Sequence, residues 1–308
     1  MKHFINIKDV PYKLLRKILS DTKKRKDLRK KLKTLEIDKD NPLKGILLIQ
    51  MFEKSSLRTR LSFYLAIRQL GGSVLTLRPD ELHLSKGGES LSDTAKILST
   101  YGDIFVLRTD NEKKLYSFKK FLSIPLINGL SPNSHPAQIL SDIFTIEEIT
   151  KKNISRLNIC WIGDSNNVLN SLIEASIKFS FKLNIGCPKN YNPPSEMLRM
   201  IKQKSAKIKI FNNPKVAIKN ADVVLTDKVI SMNDKVNKKK KIKDFLNFRI
   251  NSKLMSLSNK AILLHCLPRG SEITDEVFYG KKSKVWQQAL NRVHVQKSIL
   301  LYCLNKLR

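Results

Sequence analysis

The sequence predicts an α/β protein of two doubly wound domains with parallel sheets, its active site placed in the cleft between them. Three observations carry that expectation. The chain has 308 residues, the length of two ordinary domains. Short, continuous apolar runs alternate with amphipathic ones along its whole length, as they do where parallel strands are buried on both faces. Reactive residues gather just after the apolar runs, and in open parallel sheets ligands bind outside the carboxyl ends of the strands.

The elements follow in order. After an amphipathic N-terminal stretch, GILLIQMF reads as a strand and LRTRLSFYLAIRQL as a helix stopped by Gly71 and Gly72. SVLTL, DTAKILSTYG, DIFVLRT, KKLYSFKKFL and IPLIN continue the alternation. HPAQILSDIFTIEEIT reads as a connecting helix before the polar KKNISR, which sets a domain boundary near residues 140 to 155. The second half repeats the rhythm with LNICWIGD, NNVLNSLIEASIKFS, FKLNIGC, EMLRMIKQKSA, KIKIF, VAIKNA, DVVLTD and AILLHCLP, and LNRVHVQKSILLYCL is a last amphipathic helix.

Composition narrows the function classes. A hydrophobic fraction of 41% fits a globular protein, and no apolar run approaches the ~20 residues that span a bilayer. MKHFINIKDVPYK has no signal-type apolar core, so a cytoplasmic protein is expected. Cys160, Cys187, Cys266 and Cys303 form no CxxC pair, which argues against a zinc site and a disulfide framework. Cys160 and Cys187, in strand-like runs, are expected to be buried thiols. A net charge of +31, taken alone, points to nucleic acid. The lysines are nevertheless spread along most of the chain, as an A-rich coding bias would spread them, so a nucleic-acid partner is not favoured. Only KVNKKKKIK, Lys235 to Lys243, is concentrated, and it reads as a solvated loop.

FEKSSLRTRLSF, from Phe52 to Phe63, is the most informative stretch. A strand followed by a turn and a helix presents free backbone N–H groups at the positive end of the helix dipole. Ser56 and Thr59 add hydroxyls, and Arg58 adds a fork that matches phosphate. A phosphate held without magnesium fits, as does a capped helix with a solvated basic first turn. GxxxxGK[ST] is absent and WIGDSNN lacks the GxGxxG glycines, so neither a P-loop nor a dinucleotide site is supported.

SSLRTR resembles the SxRTR carbamoyl-phosphate signature of the aspartate and ornithine carbamoyltransferases, and the resemblance covers essentially the whole chain. Arg108 matches the family arginine one strand later, and SHPAQ matches the HPxQ motif with His135 and Gln138. GDSNN, TDKVISM and HCLPRG resemble, in order, the amino-acid-binding segments of the ornithine branch. The resemblance implies transfer of the carbamoyl group of carbamoyl phosphate to the δ-amine of L-ornithine, giving L-citrulline and phosphate in arginine biosynthesis. It implies no metal or organic cofactor, ordered binding with carbamoyl phosphate first, and a homotrimer or a multiple of it. The implied carbamoyl-phosphate-binding domain is 1–147 with 286–308, and the implied ornithine-binding domain is 148–285.

Residue roles follow from the same resemblance. Carbamoyl phosphate is assigned to Ser56, Leu57, Arg58, Thr59, His83, Arg108, His135, Gln138, Leu267 and Arg292, with Thr59, Arg108 and His135 as donors to the carbonyl oxygen, where negative charge develops. Gln138 and the Leu267 carbonyl are placed on the carbamoyl nitrogen, and Arg292 returns from the last helix to the first domain's site. Ornithine is assigned to Asn167, Asp227, Ser231, Met232 and Cys266. An alkyl ammonium titrates near ~10.4 and a thiol near ~8.5, so Asp227 and Cys266 are assigned to positioning and deprotonating the attacking amine, without a covalent enzyme intermediate.

The chain also departs from the family pattern. Leu57 replaces a threonine, Val229 the tryptophan of TDxWxSMG and Asn233 its glycine; Leu290 stands where an acidic residue is common, and His83 lies near the place of a glutamine that serves the neighbouring subunit's site. These departures keep open an acceptor such as N-acetylornithine or putrescine, and a basic nucleic-acid-binding protein on the same fold is the alternative of another class.

Overall fold

A computed structural model describes residues 1–78, 88–230 and 237–307. The chain divides into two compact units, Met1–Leu140 with Leu290–Arg308, and Ser141–Ala289.

The first unit opens with α1 (Tyr12–Leu28), which buries Leu15, Ile18, Leu19 and Thr22 along one face. Strand β1 (Leu47–Phe52) leads into α2 (Leu57–Gln69), and β2 (Ser73–Leu77) lies beside β1. After α3 (Leu91–Tyr101), capped by the Ser90 side chain, come β3 (Ile104–Arg108), α4 (Glu112–Phe121) and β4 (Leu126–Leu130). The four strands are parallel in the order β2-β1-β3-β4. Phe105 and Phe118 pack edge to face in the core between sheet and helices. The direction of winding reverses between β1 and β3, so their carboxyl ends flank the crevice where such sheets bind ligands.

Helix α5 (Pro136–Thr150) carries the chain across the division between the units. In the second unit, β5 (Asn158–Ile162), α6 (Asn167–Phe179), β6 (Lys182–Gly186), α7 (Ser195–Gln203), β7 (Ile208–Phe211), α8 (Pro214–Ala217) and β8 (Val223–Thr226) follow in turn. Then come α9 (Lys238–Phe245), α10 (Ser252–Met255), β9 (Ile262–His265) and α11 (Asp275–Phe278). This sheet is also parallel, in the order β7-β6-β5-β8-β9, with its reversal between β5 and β8. Helix α12 (Val285–Cys303) crosses back and ends the first unit.

The two-domain parallel α/β expectation holds, and Cys160 and Cys187 are buried as expected. One expectation fails. The basic run is not a solvated loop: its described part, from Asn237, is an N-cap and a helix that buries Lys241 and Phe245, one turn apart, on its inner face. Among the described residues no helix is long and apolar enough to cross a membrane.

Candidate active site

In the first unit the phosphate-type motif sits where α2 begins. Ser56 is the N-cap residue, but its hydroxyl accepts a hydrogen bond from Arg108 Nη1 at 2.9 Å instead of capping the helix. Leu57 is 63% exposed, so its side chain adds nothing to the turn and its backbone N–H is what the position offers. Thr59 faces inward. Arg292, only 3% exposed on α12, donates to Thr59 Oγ1 at 2.6 Å and to Gln138 Oε1 at 2.7 Å, joining α2, α5 and α12 through one guanidinium.

His135 precedes Pro136, the first residue of α5, and is buried. Burial, together with the charges of Arg292, Arg108 and Arg58, holds its pKa well below the usual histidine value, so the ring is neutral at neutral pH. Burial and the Arg58 charge likewise pull the Arg108 guanidinium down from its ordinary value. Three guanidiniums thus converge on one neutral imidazole. Behind the ring, Asn128 Nδ2 donates to Ser134 Oγ at 2.8 Å and to the Ile5 carbonyl at 3.1 Å, which fixes the loop that presents His135. Glu53 accepts from Lys114 Nζ at 2.5 Å and from the Thr109 hydroxyl, tying together the ends of β1 and β3.

In the second unit, Asp227 lies one residue past β8 and Cys266 one past β9. Cys266 Sγ donates to Asp227 Oδ1 at 2.8 Å, and Asn166 Nδ2 donates to Asp227 Oδ2 at 2.8 Å. The same Asn166 caps α6, its Oδ1 accepting from the N–H groups of Val168 and Leu169. Asn167 is the first residue of the helix. Asn166 was missed in the sequence; the Asn-Asn doublet before a helix was the only signal, and its reach to Asp227 spans 61 residues of chain.

The HCLP segment is held from within. His265 Nδ1 accepts from the Leu267 N–H at 2.9 Å, so its Nε2–H donates to Glu272 Oε1 at 2.9 Å. Burial would raise the Glu272 carboxyl; the hydrogen bonds from His265 and the Gly270 N–H outweigh it and hold the pKa below its ordinary value. Leu267 has φ of 57° and precedes a cis peptide to Pro268. Ligand-type atoms of Asp227, His265 and Cys266 lie within 4.8 Å of one another, but both imidazole nitrogens are engaged inside the protein, which makes this a hydrogen-bonded set.

His83, Ser231, Met232 and Asn233 lie outside the described residues. Val229 is buried in the apolar cluster of the second unit with Phe245, Phe248 and Ile250, so the residue that replaces the family's tryptophan serves as core. Leu290 is exposed on α12.

A convergent arginine–histidine set on one parallel sheet and a carboxylate–thiol pair on another are the equipment of a two-substrate group-transfer enzyme. Two family profiles match the chain: the carbamoyl-P binding domain of aspartate/ornithine carbamoyltransferase over residues 2–148, and its Asp/Orn binding domain over residues 155–303. An ornithine carbamoyltransferase from Rhizorhabdus wittichii is 38% identical over 99% of both chains. The ornithine carbamoyltransferase of Pyrococcus furiosus superposes with a TM-score of 0.90 at 33% identity, covering 97% of this chain and 96% of that one. An anabolic ornithine carbamoyltransferase from Campylobacter jejuni gives 0.88 at 36% identity, covering 99% and 100%. The chain belongs to the aspartate/ornithine carbamoyltransferase family and is an enzyme of the carbamoyltransferase type.

Proposed function

We propose that this protein transfers the carbamoyl group of carbamoyl phosphate to the δ-amine of L-ornithine, giving L-citrulline and phosphate. The observation that carries the reading is the Asp227 carboxylate, held on one oxygen by Asn166 and on the other by the Cys266 thiol. Such a pair accepts a hydrogen bond from an ammonium and draws off the proton that must leave before the amine can attack.

The phosphate end of carbamoyl phosphate takes the Leu57 N–H, Ser56 and Arg58; Thr59, Arg108 and His135 take the carbonyl oxygen; Gln138 and the Leu267 carbonyl take the nitrogen. A neutral His135 can give a hydrogen bond to the developing oxyanion while keeping its proton, and the guanidiniums supply the positive potential. Arg292 positions Thr59 and Gln138 for those contacts. As the δ-nitrogen bonds to the carbonyl carbon, the carbon–oxygen bond to phosphate breaks, phosphate leaves with that electron pair, and the proton shed by the newly bonded nitrogen goes to the departing phosphate. Asn167, Ser231 and Met232 take the α-amino-acid end, and His83 serves a neighbouring subunit's site.

The same reading makes the protein a cytoplasmic homotrimer, or a multiple of it, in arginine biosynthesis, with 1–147 and 286–308 as its carbamoyl-phosphate-binding domain, 148–285 as its ornithine-binding domain, and no metal or organic cofactor. The Campylobacter jejuni relative is an anabolic enzyme, which supports the biosynthetic direction. Leu57, Leu61 and Tyr64, exposed along one face of α2, are apolar surface that a subunit contact would cover.

The test is to mix the purified protein with carbamoyl phosphate and, separately, ornithine, putrescine, N-acetylornithine and aspartate, measuring ureido product and released phosphate. Citrulline formed with the highest kcat/KM is the expected result. Another preferred amine would move the acceptor, and no product from any would overturn the reading.

A further inference from the structure

The buried lysine of the basic run has no part in the roles given above. Lys241 is 3% exposed, whereas Lys238, Lys239 and Lys240 on the same helix lie in solvent. Its Nζ donates to Asp164 Oδ2 at 2.6 Å. The ammonium also stands 5.7 Å from the centre of the Tyr191 ring, and the Tyr191 hydroxyl donates to Asp244 Oδ2 at 2.9 Å, back on α9. A buried ammonium is sustained only by an opposite charge and further contacts, and removing one member of such a pair leaves the other buried and uncompensated.

What Lys241 holds is the loop that follows β5. Asp164 takes the ammonium on its carboxylate and the Trp161 indole N–H on its carbonyl at 3.1 Å. Gly163 beside it has φ of 152°, and a Cβ there would stand 3.2 Å from the Thr226 hydroxyl, so the loop runs close against the end of β8. Two residues after Asp164, Asn166 divides its amide between the first turn of α6 and Asp227. A shift of this loop would therefore move an amide that orients the Asp227 carboxylate.

We infer that Lys241 is a positioning residue for the amino-acid substrate, fixing the Gly163–Asn167 loop through Asp164 so that Asn166 holds Asp227 in line with Cys266. The inference rests on the reading that Asp227 and Cys266 serve the ornithine amine, and it extends the site to a helix that the family motifs do not touch.

The experiment compares the full-length chain with Lys241→Met, Lys241→Arg, Asp164→Asn and the double variant Lys241→Met/Asp164→Asn, measuring KM for each substrate at saturating levels of the other, kcat and melting temperature. Lys241→Met is expected to raise the ornithine KM about tenfold or more while the carbamoyl-phosphate KM stays within about twofold. Lys241→Arg should recover most of the loss, and the double variant should be no worse than either single one, because it leaves no unpaired buried charge. An unchanged ornithine KM in Lys241→Met overturns the inference; so does a rise in both KM values in step with a lower melting temperature. If Lys241→Met is insoluble, Asp164→Asn and Lys241→Arg give the same contrast. An unaltered chain that makes no citrulline overturns the parent reading and this inference with it, whereas a productive chain with indifferent variants overturns only this one.

Discussion

Arg292 grips Thr59 and Gln138 with two separate nitrogens, a geometry that a lysine cannot copy. Arg292→Lys is therefore expected to raise the carbamoyl-phosphate KM about tenfold or more and to leave the ornithine KM nearly unchanged, as initial-rate measurements at saturating cosubstrate would show. Equal effects on both would remove Arg292 from the first site. Cys266 differs in kind, since its thiol donates a hydrogen bond to Asp227. Cys266→Ala should lower kcat by about a hundredfold, the usual scale for a lost proton-transfer partner, with carbamoyl-phosphate binding intact by thermal shift. The local motifs around these residues were legible in the sequence because each is a short run of unusual side chains. The partners that set their geometry were not: Asn128 behind His135, Glu272 behind His265 and Asn166 behind Asp227 are ordinary polar residues, and only the fold brings them in.

Helices show where reading by composition breaks down. Four consecutive lysines hide a single inward position, and the sign of a helix there was the cap, Asn237, whose Oδ1 accepts from the Lys240 N–H at 3.2 Å, followed one turn past Lys241 by Phe245. Strand order was equally hidden. Alternating elements predict a parallel sheet, yet which strands flank its reversal is a tertiary fact, and here both reversals fall on the strands that carry the reactive loops. Helix α12 carries a second buried lysine. Lys297 Nζ meets Asp38 at 2.5 Å, where Arg29 at 2.8 Å and Arg25 at 3.4 Å already stand. Burial, partly offset by Asp38, lowers the Lys297 pKa from 10.5 to about 8. The unfolded chain then holds more protons than the folded one between pH 8 and 10.5, so this lysine makes stability rise with pH across that window, by on the order of 3 kcal/mol. Lys297→Met should flatten that rise and, with Asp38 still paired to two arginines, cost little stability at pH 7. Urea unfolding of both proteins at a series of pH values checks this; a stability difference between wild type and Lys297→Met that stays flat from pH 8 to 10 would refute the assignment.

At the scale of the whole molecule, a net charge of +31 acts as a field and not as a set of contacts. If the field draws a dianionic substrate toward the arginine set, adding salt from about 0.05 to about 0.5 M should raise the carbamoyl-phosphate KM several-fold and move the ornithine KM little, because the Debye length shrinks from beyond ~10 Å to a few ångströms. A carbamoyl-phosphate KM indifferent to salt would leave the charge without a role in binding.

The two units also differ in how the chain assembles them. Residues 141–289 run without interruption, whereas the unit that begins at Met1 is closed only by Leu290–Arg308, the stretch that carries Arg292. On the ribosome the first-made half must therefore wait, its arginine set short of one member, while the second half emerges and can fold as a piece. A chain that stops short of Arg292 lacks the residue that joins Thr59 to Gln138, so the first site is completed only after the whole second unit has been made.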